Sequence, residues 1–150
     1  MQTLTILLTL LVSLSCVGMA IGAEPGPKDK DAPKEFTATK SGLKYRILRK
    51  AEGAKAKATD TVTVHYRGWI PDSTGDGGKE FDSSYKRGEP TTFPLNRVIP
   101  GWTEGMQLVP KGGMIELEIP SNLAYGPKGI PGTIPPNATL RFLVELVEIK

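Results

Sequence analysis

The sequence predicts an α+β fold, a curved antiparallel sheet of five to six strands forming a half-barrel around one short α-helix. Three observations predict it. Only one stretch has persuasive helical spacing: Trp102, Gly105, Met106 and Val109 recur at i, i+3, i+4 and i+7, opened by Pro100-Gly101 and stopped by Pro110. At roughly two turns that helix falls short of the ~12–15 residues needed to persist alone in water, so strands must bury its stripe. The other apolar residues alternate in short runs between Gly and Pro signals, without the long intervening helices of a parallel sheet.

The 150 residues are enough for one domain and one core. Residues 1–23 read as a signal peptide, with an uncharged apolar run ending in the small residues Gly22 and Ala23, although Met1-Gln2-Thr3 carries no Lys or Arg. A membrane-spanning helix is the lesser reading, because several Ser and Thr dilute the run. Cys16, the single cysteine, lies within this segment. Lipid anchoring through it is the minor alternative, since Ser13 stands three residues earlier, where such sites usually carry Leu. The expected location is therefore periplasmic or extracellular, with no stable membrane insertion after cleavage. Residues 24–40 hold three prolines and many charges and read as a flexible, solvated linker, leaving 41–150 as the folded domain.

Within that domain, residues 43–48 alternate as a first strand. Thr61 to Gly68 alternates strictly, with Val62, Val64 and Tyr66 inward and Thr63, His65 and Arg67 outward. Residues 71–78, PDSTGDGG, form a turn-rich loop whose Asp72 and Asp76 are too loosely placed for a calcium loop. Residues 91–95 are a short strand made an edge by Pro94, and the helix follows. Ile115, Leu117 and Ile119 then alternate with Met114, Glu116 and Glu118. A long loop over 120–137 contains five prolines, and the last strand puts Leu140, Phe142, Val144 and Leu146 on one face.

The residue inventory excludes much chemistry. One histidine, His65, placed outward on its strand, and no cysteine beyond residue 16 leave no triad, thiolate centre or metal-ligand pair, so no metal and no cofactor are expected. Nineteen Lys and Arg against sixteen Asp and Glu, interspersed along the chain, do not make a nucleic-acid surface. What remains is a set of large apolar residues from separate elements, Tyr66, Phe81, Val98, Ile99, Trp102, Tyr125, Ile134 and Phe142, that the layout gathers at one end of sheet and helix. Asp82 borders them, and Arg87 is its candidate ion-pair partner.

Five motifs carry a resemblance: Val64-His65-Tyr66-x-Gly68, Phe81-Asp82-Ser83-Ser84, Val98-Ile99-Pro100-Gly101-Trp102-x-Glu104-Gly105, Ala124-Tyr125-Gly126 and Ile134-Pro135-Pro136-Asn137-Ala138-Thr139-Leu140-x-Phe142. In this order they resemble the FK506-binding-protein (FKBP-type) family of peptidyl-prolyl cis-trans isomerases. Ser41-Gly42-Leu43-Lys44-Tyr45 is similar to exported bacterial members of the macrophage-infectivity-potentiator type. The resemblance implies an isomerase acting on proline-containing polypeptides and assisting the folding of exported proteins. It also implies FK506- or rapamycin-like macrolides as ligands; a monomer is expected. It places Trp102 as pocket floor, Tyr66, Phe81, Val98, Ile99, Ile134 and Phe142 around the proline, and the Ile99 N–H and Tyr125 hydroxyl on substrate carbonyls. Asp82, Tyr125, Phe142 and Trp102 would be the catalytic set, Asp82 orienting Tyr66 or polarising the twisted bond. The alternative is a proline-segment-binding chaperone module with little turnover. One departure stands out: Thr91 occupies a wall position often aromatic in the family.

Overall fold

The computed structural model describes residues 22–150. The export-signal reading, with Cys16, therefore falls outside the described residues except for Gly22 and Ala23. In chain order the elements are β1 (Thr37–Ala38), β2 (Lys44–Arg49), β3 (Thr61–Pro71), β4 (Gly78–Ser83), α1 (Ser84–Arg87), β5 (Thr91–Pro94), α2 (Pro100–Gly105), β6 (Met114–Ile119) and β7 (Leu140–Ile149). Every strand pairing is antiparallel, in the order β1-β2-β6-β7-β3-β4, with β5 attached to β3. The sheet is open, and α2 lies across β6 on its inner face. Seven strands form where five to six were expected. The two extra ones, β1 and β4, are short polar segments whose pairing comes from main-chain hydrogen bonds that no alternation of side chains announces.

The inner face is the anticipated core. Val62, Val64 and Tyr66 from β3, Ile115, Leu117 and Ile119 from β6, and Leu140, Phe142, Val144 and Leu146 from β7 are all buried together with Trp102, Met106 and Val109. The helix is shorter than its stripe. After Gly105 the Gln107 and Leu108 N–H groups reach back only three residues, to the Glu104 and Gly105 carbonyls, so the chain tightens into turns before Pro110. Met106 and Val109 still point into the core, fully buried.

How closely α2 approaches the sheet depends on two glycines. A Cβ on Gly101 would sit 2.4 Å from Ile119 Cγ2, and one on Gly105 would sit 2.7 Å from both Leu117 methyl groups. Pro100 supplies the first helical position, where its fixed φ suits the helix and its missing N–H is not needed.

The linker reading of residues 24–40 needs correction, because this segment lies along the outer face of the sheet. The Gly26 N–H donates to Glu145 Oε1 at 3.0 Å, the Asp29 N–H to the Leu48 carbonyl at 2.8 Å, and the Arg49 guanidinium to the Pro27 carbonyl at 3.1 Å. Phe36 is held between the guanidinium groups of Arg46 and Arg141, 4.6 and 4.7 Å from its ring centre. Ala32 packs on a second apolar cluster of Leu48, Trp69, Met114 and Leu143. Covered in this way, the outer face is not a solvated one. Glu116 and Arg141 are buried there, joined in a network with Arg46, Glu118 and Asp76.

Because Ile119 is fully buried and its Cγ2 is fixed on a branched carbon, Gly101→Ala should force α2 off the sheet. Overpacking of this kind costs about 1–3 kcal/mol. Thermal unfolding should show the midpoint falling by several degrees; an unchanged midpoint would mean that α2 does not need this close contact.

Candidate functional site

The inner end of the sheet opens into a cavity of about 440 Å³. Its floor is Trp102, 3 % exposed, delivered by the first turn of α2. Three rings stand edge-on to that indole: Tyr66 from β3 with centroids 5.4 Å apart, Phe93 from β5 at 5.4 Å and Phe142 from β7 at 5.3 Å. Phe81 from β4 meets Phe142 edge-on at 5.6 Å. These are the separations and tilts that aromatic quadrupoles favour, so the rings brace one another as well as excluding water. Val98 and Ile99, on the connection before α2, complete the apolar wall.

β3 positions the polar side of the cavity by changing partners. Along one edge it pairs with β5 over residues 61–64 and with β4 over 67–71. In the gap, Ser84 takes the place of a strand: its fully buried Oγ accepts the Tyr66 N–H at 2.8 Å and lies 3.3 Å from the Tyr66 carbonyl. His65 closes the other side, with Nδ1 3.1 Å from Ser84 Oγ and its ring stacked on Tyr85. Gly68 follows, pairing with Phe142 across one edge and Asp82 across the other. A Cβ there would lie 2.6 Å from Phe142 and 2.8 Å from Phe81, so both rings depend on its absence.

Asp82 binds two partners at once. The Tyr66 hydroxyl donates to Asp82 Oδ2, and Arg87 pairs with Oδ1 at 2.5 Å. The orienting and ion-pair roles foreseen for Asp82 are thus compatible. Arg87 also donates to the Tyr66 hydroxyl at 3.1 Å and to Thr91 Oγ1 at 3.2 Å. Thr91 therefore belongs to this polar network, and the aromatic wall comes from Phe93, two residues along the same strand. Desolvation pushes the Asp82 carboxyl up, but the Tyr66 and Arg87 hydrogen bonds and the Arg87 charge outweigh it and hold it below its ordinary value. Burial, reinforced by the hydrogen bond to Asp82, pushes the Tyr66 phenol up to about 12. Burial and the Asp82 charge raise Tyr125 as well.

Among the described residues, several hydrogen-bond donors that line the cavity have no acceptor, including the buried Trp102 Nε1–H and the exposed Arg97 guanidinium, and two of them are placed to meet a ligand's carbonyls. The Tyr125 hydroxyl, on a residue 39 % exposed, makes no hydrogen bond among the described residues. The Ile99 N–H also has no acceptor among them, whereas the Ile99 carbonyl accepts from Trp102 and Thr103. The structure thus brings Tyr66, Phe81, Asp82, Val98, Ile99, Trp102, Tyr125 and Phe142 together. Ile134 is the exception and a correction: it bridges to Ile130, is 3 % exposed in the core, and does not line the cavity. The resemblance implied a place around the proline, but the 2.8 Å hydrogen bonds exchanged with Ile130 fold it inward. Phe93, Arg97, Gly68 and Ser84 were not foreseen as site residues. Phe93 was findable, since alternation places it on the same face as Thr91.

No cluster of three or more His, Cys, Asp or Glu side chains that could hold a metal ion occurs among the described residues.

Two predictions follow from this geometry. Ser84→Ala leaves the buried Tyr66 N–H without an acceptor, at a cost of about 1–3 kcal/mol; urea unfolding should show the loss with an unchanged slope. Asp82 is more acidic folded than unfolded, so its contribution to stability is complete above the ordinary carboxylate range and is lost as pH falls through that range and below it. Tyr66 is less acidic folded, so its contribution is complete below its ordinary pKa near 10 and is lost as pH rises towards about 12. Near-ultraviolet circular dichroism of the aromatic box should therefore stay constant from about pH 5 to 9 and change beyond both limits. A transition near neutrality would contradict the assignment.

Comparison with known proteins gives a consistent result. Residues 52–147 match the family model described as FKBP-type peptidyl-prolyl cis-trans isomerase. The chain is 55 % identical over 121 residues to the FKBP-type peptidyl-prolyl cis-trans isomerase FkpA of Aeromonas hydrophila, covering 80 % of this chain and 43 % of the relative. It is 47 % identical over 110 residues to the outer membrane protein MIP of Legionella longbeachae, covering 73 % of this chain and 45 % of that protein. The crystal structure of FkpA from Escherichia coli superimposes with a TM-score of 0.71 at 50 % identity, covering 79 % of this chain and 53 % of that one. The chain spans less than half the length of these curated relatives.

Proposed function

The chain belongs to the FKBP-type peptidyl-prolyl cis-trans isomerase family, and on that premise we propose that it accelerates rotation about X-Pro peptide bonds in polypeptide substrates. The observation that carries this reading is an aromatic cavity that presents the Ile99 N–H and the Tyr125 O–H, neither of which has an acceptor among the described residues.

The chemistry needs nothing more. Peptide rotation is opposed by a resonance barrier of about 20 kcal/mol and takes tens of seconds or longer unaided at an X-Pro bond. The twisted amide loses resonance and much of its charge separation, so an apolar, dry site favours it over the planar form, whereas water favours the planar form. Catalysis is then differential binding of the twisted state. The proline ring sits over the Trp102 indole, between Tyr66, Phe81 and Phe142. Ile99 N–H and Tyr125 O–H donate hydrogen bonds to substrate carbonyls on either side of the rotating bond and so position it. Asp82 is ionised and doubly hydrogen-bonded, which makes it a positioning residue for Tyr66 rather than a proton donor.

The apolar run from Leu4 to Ile21 supports an exported location, as does the similarity to an outer membrane protein of Legionella longbeachae. Exported proline-containing polypeptides are the corresponding substrates, a macrolide of the FK506 type is the corresponding inhibitor, and a monomer is the working form.

The test is cis-to-trans isomerisation of a Leu-Pro peptide by the purified protein, with and without such a macrolide, and with Phe142→Tyr alongside. We expect acceleration that the macrolide abolishes. A hydroxyl on the dry wall at Phe142 should lower kcat/KM by about three- to tenfold, the equivalent of roughly 1 kcal/mol. Macrolide binding without acceleration would indicate a holding module, and neither binding nor acceleration would remove the cavity from the account.

A further inference from the structure

The cavity carries a charge that the aromatic chemistry does not use. Arg97 ends the short turn between β5 and the connection to α2, lines the cavity beside Val98 and Ile99, and is exposed. It makes no ion pair and no side-chain hydrogen bond among the described residues. Asp82, the other charged residue lining the cavity, is already engaged by Tyr66 and by Arg87, whose positive charge cancels its own. The mouth of the cavity is therefore left with one uncompensated positive charge next to a low-dielectric aromatic wall, where a charge acts over a longer range than in open water.

We propose that Arg97 is a specificity-determining residue that selects proline segments bearing an acidic side chain within two residues of the proline. Placement supports this. Arg97 stands two residues before Ile99, whose free N–H is the donor for a substrate carbonyl, so the substrate residues flanking that carbonyl pass next to the guanidinium. A carboxylate there gains a forked, charge-assisted hydrogen bond that Gln or Lys cannot reproduce, and Lys is repelled. Arg97 does not touch the rotating bond. Its effect falls on capture of the substrate, which places it in KM and in the on-rate rather than in kcat.

This inference rests on the isomerase reading, and the experiment separates the two. Three peptides share a Leu-Pro core and carry Glu, Gln or Lys at the flanking positions. Each is assayed with the parent protein, Arg97→Ala and Arg97→Glu, at low salt and at high salt. The readout is the ratio of kcat/KM for the Glu peptide to that for the Lys peptide within each protein, so any general change in activity cancels. The parent should favour Glu by about two- to fivefold, as expected for an exposed charge pair. High salt should shrink the preference, Arg97→Ala should abolish it, and Arg97→Glu should invert it.

A ratio near one in the parent, or a Glu preference that survives in Arg97→Glu, overturns the Arg97 proposal while leaving the isomerase reading intact. If no peptide is accelerated, the isomerase reading fails, and the dissociation constants of the same peptides, followed by tryptophan fluorescence, take over as the readout. The same pattern of preference, loss and inversion in affinity would support the selective role of Arg97 at a holding site. Its absence, or no binding at all, would overturn that role too.

Discussion

A six-residue helix pressed glycine-first against a sheet is the constraint on which the rest of this structure depends. So short a helix has too few internal hydrogen bonds to persist on its own. It is held because Gly101 and Gly105 let its backbone reach Leu117 and Ile119, and because Met106 and Val109 carry its stripe on into the core. That approach fixes where Trp102 sits, and Trp102 fixes the three rings that meet it edge-on. The cavity floor is therefore built by core packing. Residues that look structural, such as Gly101 and Ile119, set the geometry of the site as firmly as those that line it.

A second dependence runs along β3. A strand that changes partner midway leaves a main-chain N–H unpaired, and the Ser84 hydroxyl answers it. The interruption is useful. It lets β4 diverge so that Phe81 and Asp82 face the cavity, and it is followed by Gly68, whose missing side chain gives Phe81 and Phe142 room to meet. Asp82, Arg87, Tyr66 and Thr91 then form one hydrogen-bonded edge beside an otherwise apolar site. Being fully engaged, these groups rigidify the wall without offering a reactive proton near neutral pH.

Much of this was legible in the sequence, for identifiable reasons. Strict alternation in residues 61–68 and 140–146 and the single helical stripe determine the inner face, because a period-2 or period-3.6 pattern has one way to bury itself. The aromatic residues of the site were legible through their motifs. Phe93 lies on the same face of β5 as Thr91 but belongs to none of the five motifs. Ile134 was misplaced because its burial depends on a bridge to Ile130, a contact that no local pattern encodes. The largest miss was the outer face. Residues 24–40 look solvated in composition, yet main-chain hydrogen bonds, the Phe36 contact with two arginines and the Glu145 carboxylate that accepts the Gly26 N–H hold them down. Polar residues recruited by long-range partners leave no periodic signature.

Under the proposed function, these features make exclusion of water from a rotating amide the chemistry of the site, with no proton moved in the slow step. The most direct test is the solvent isotope effect on the isomerisation itself, comparing kcat/KM for one Leu-Pro peptide in H2O and D2O at matched pH. Rotation favoured by an apolar aromatic cavity predicts the same rate in both solvents. A clear slowing in D2O would show a proton in flight at the transition state, and would contradict the account of Asp82 as a positioning group and of the aromatic box as the source of catalysis.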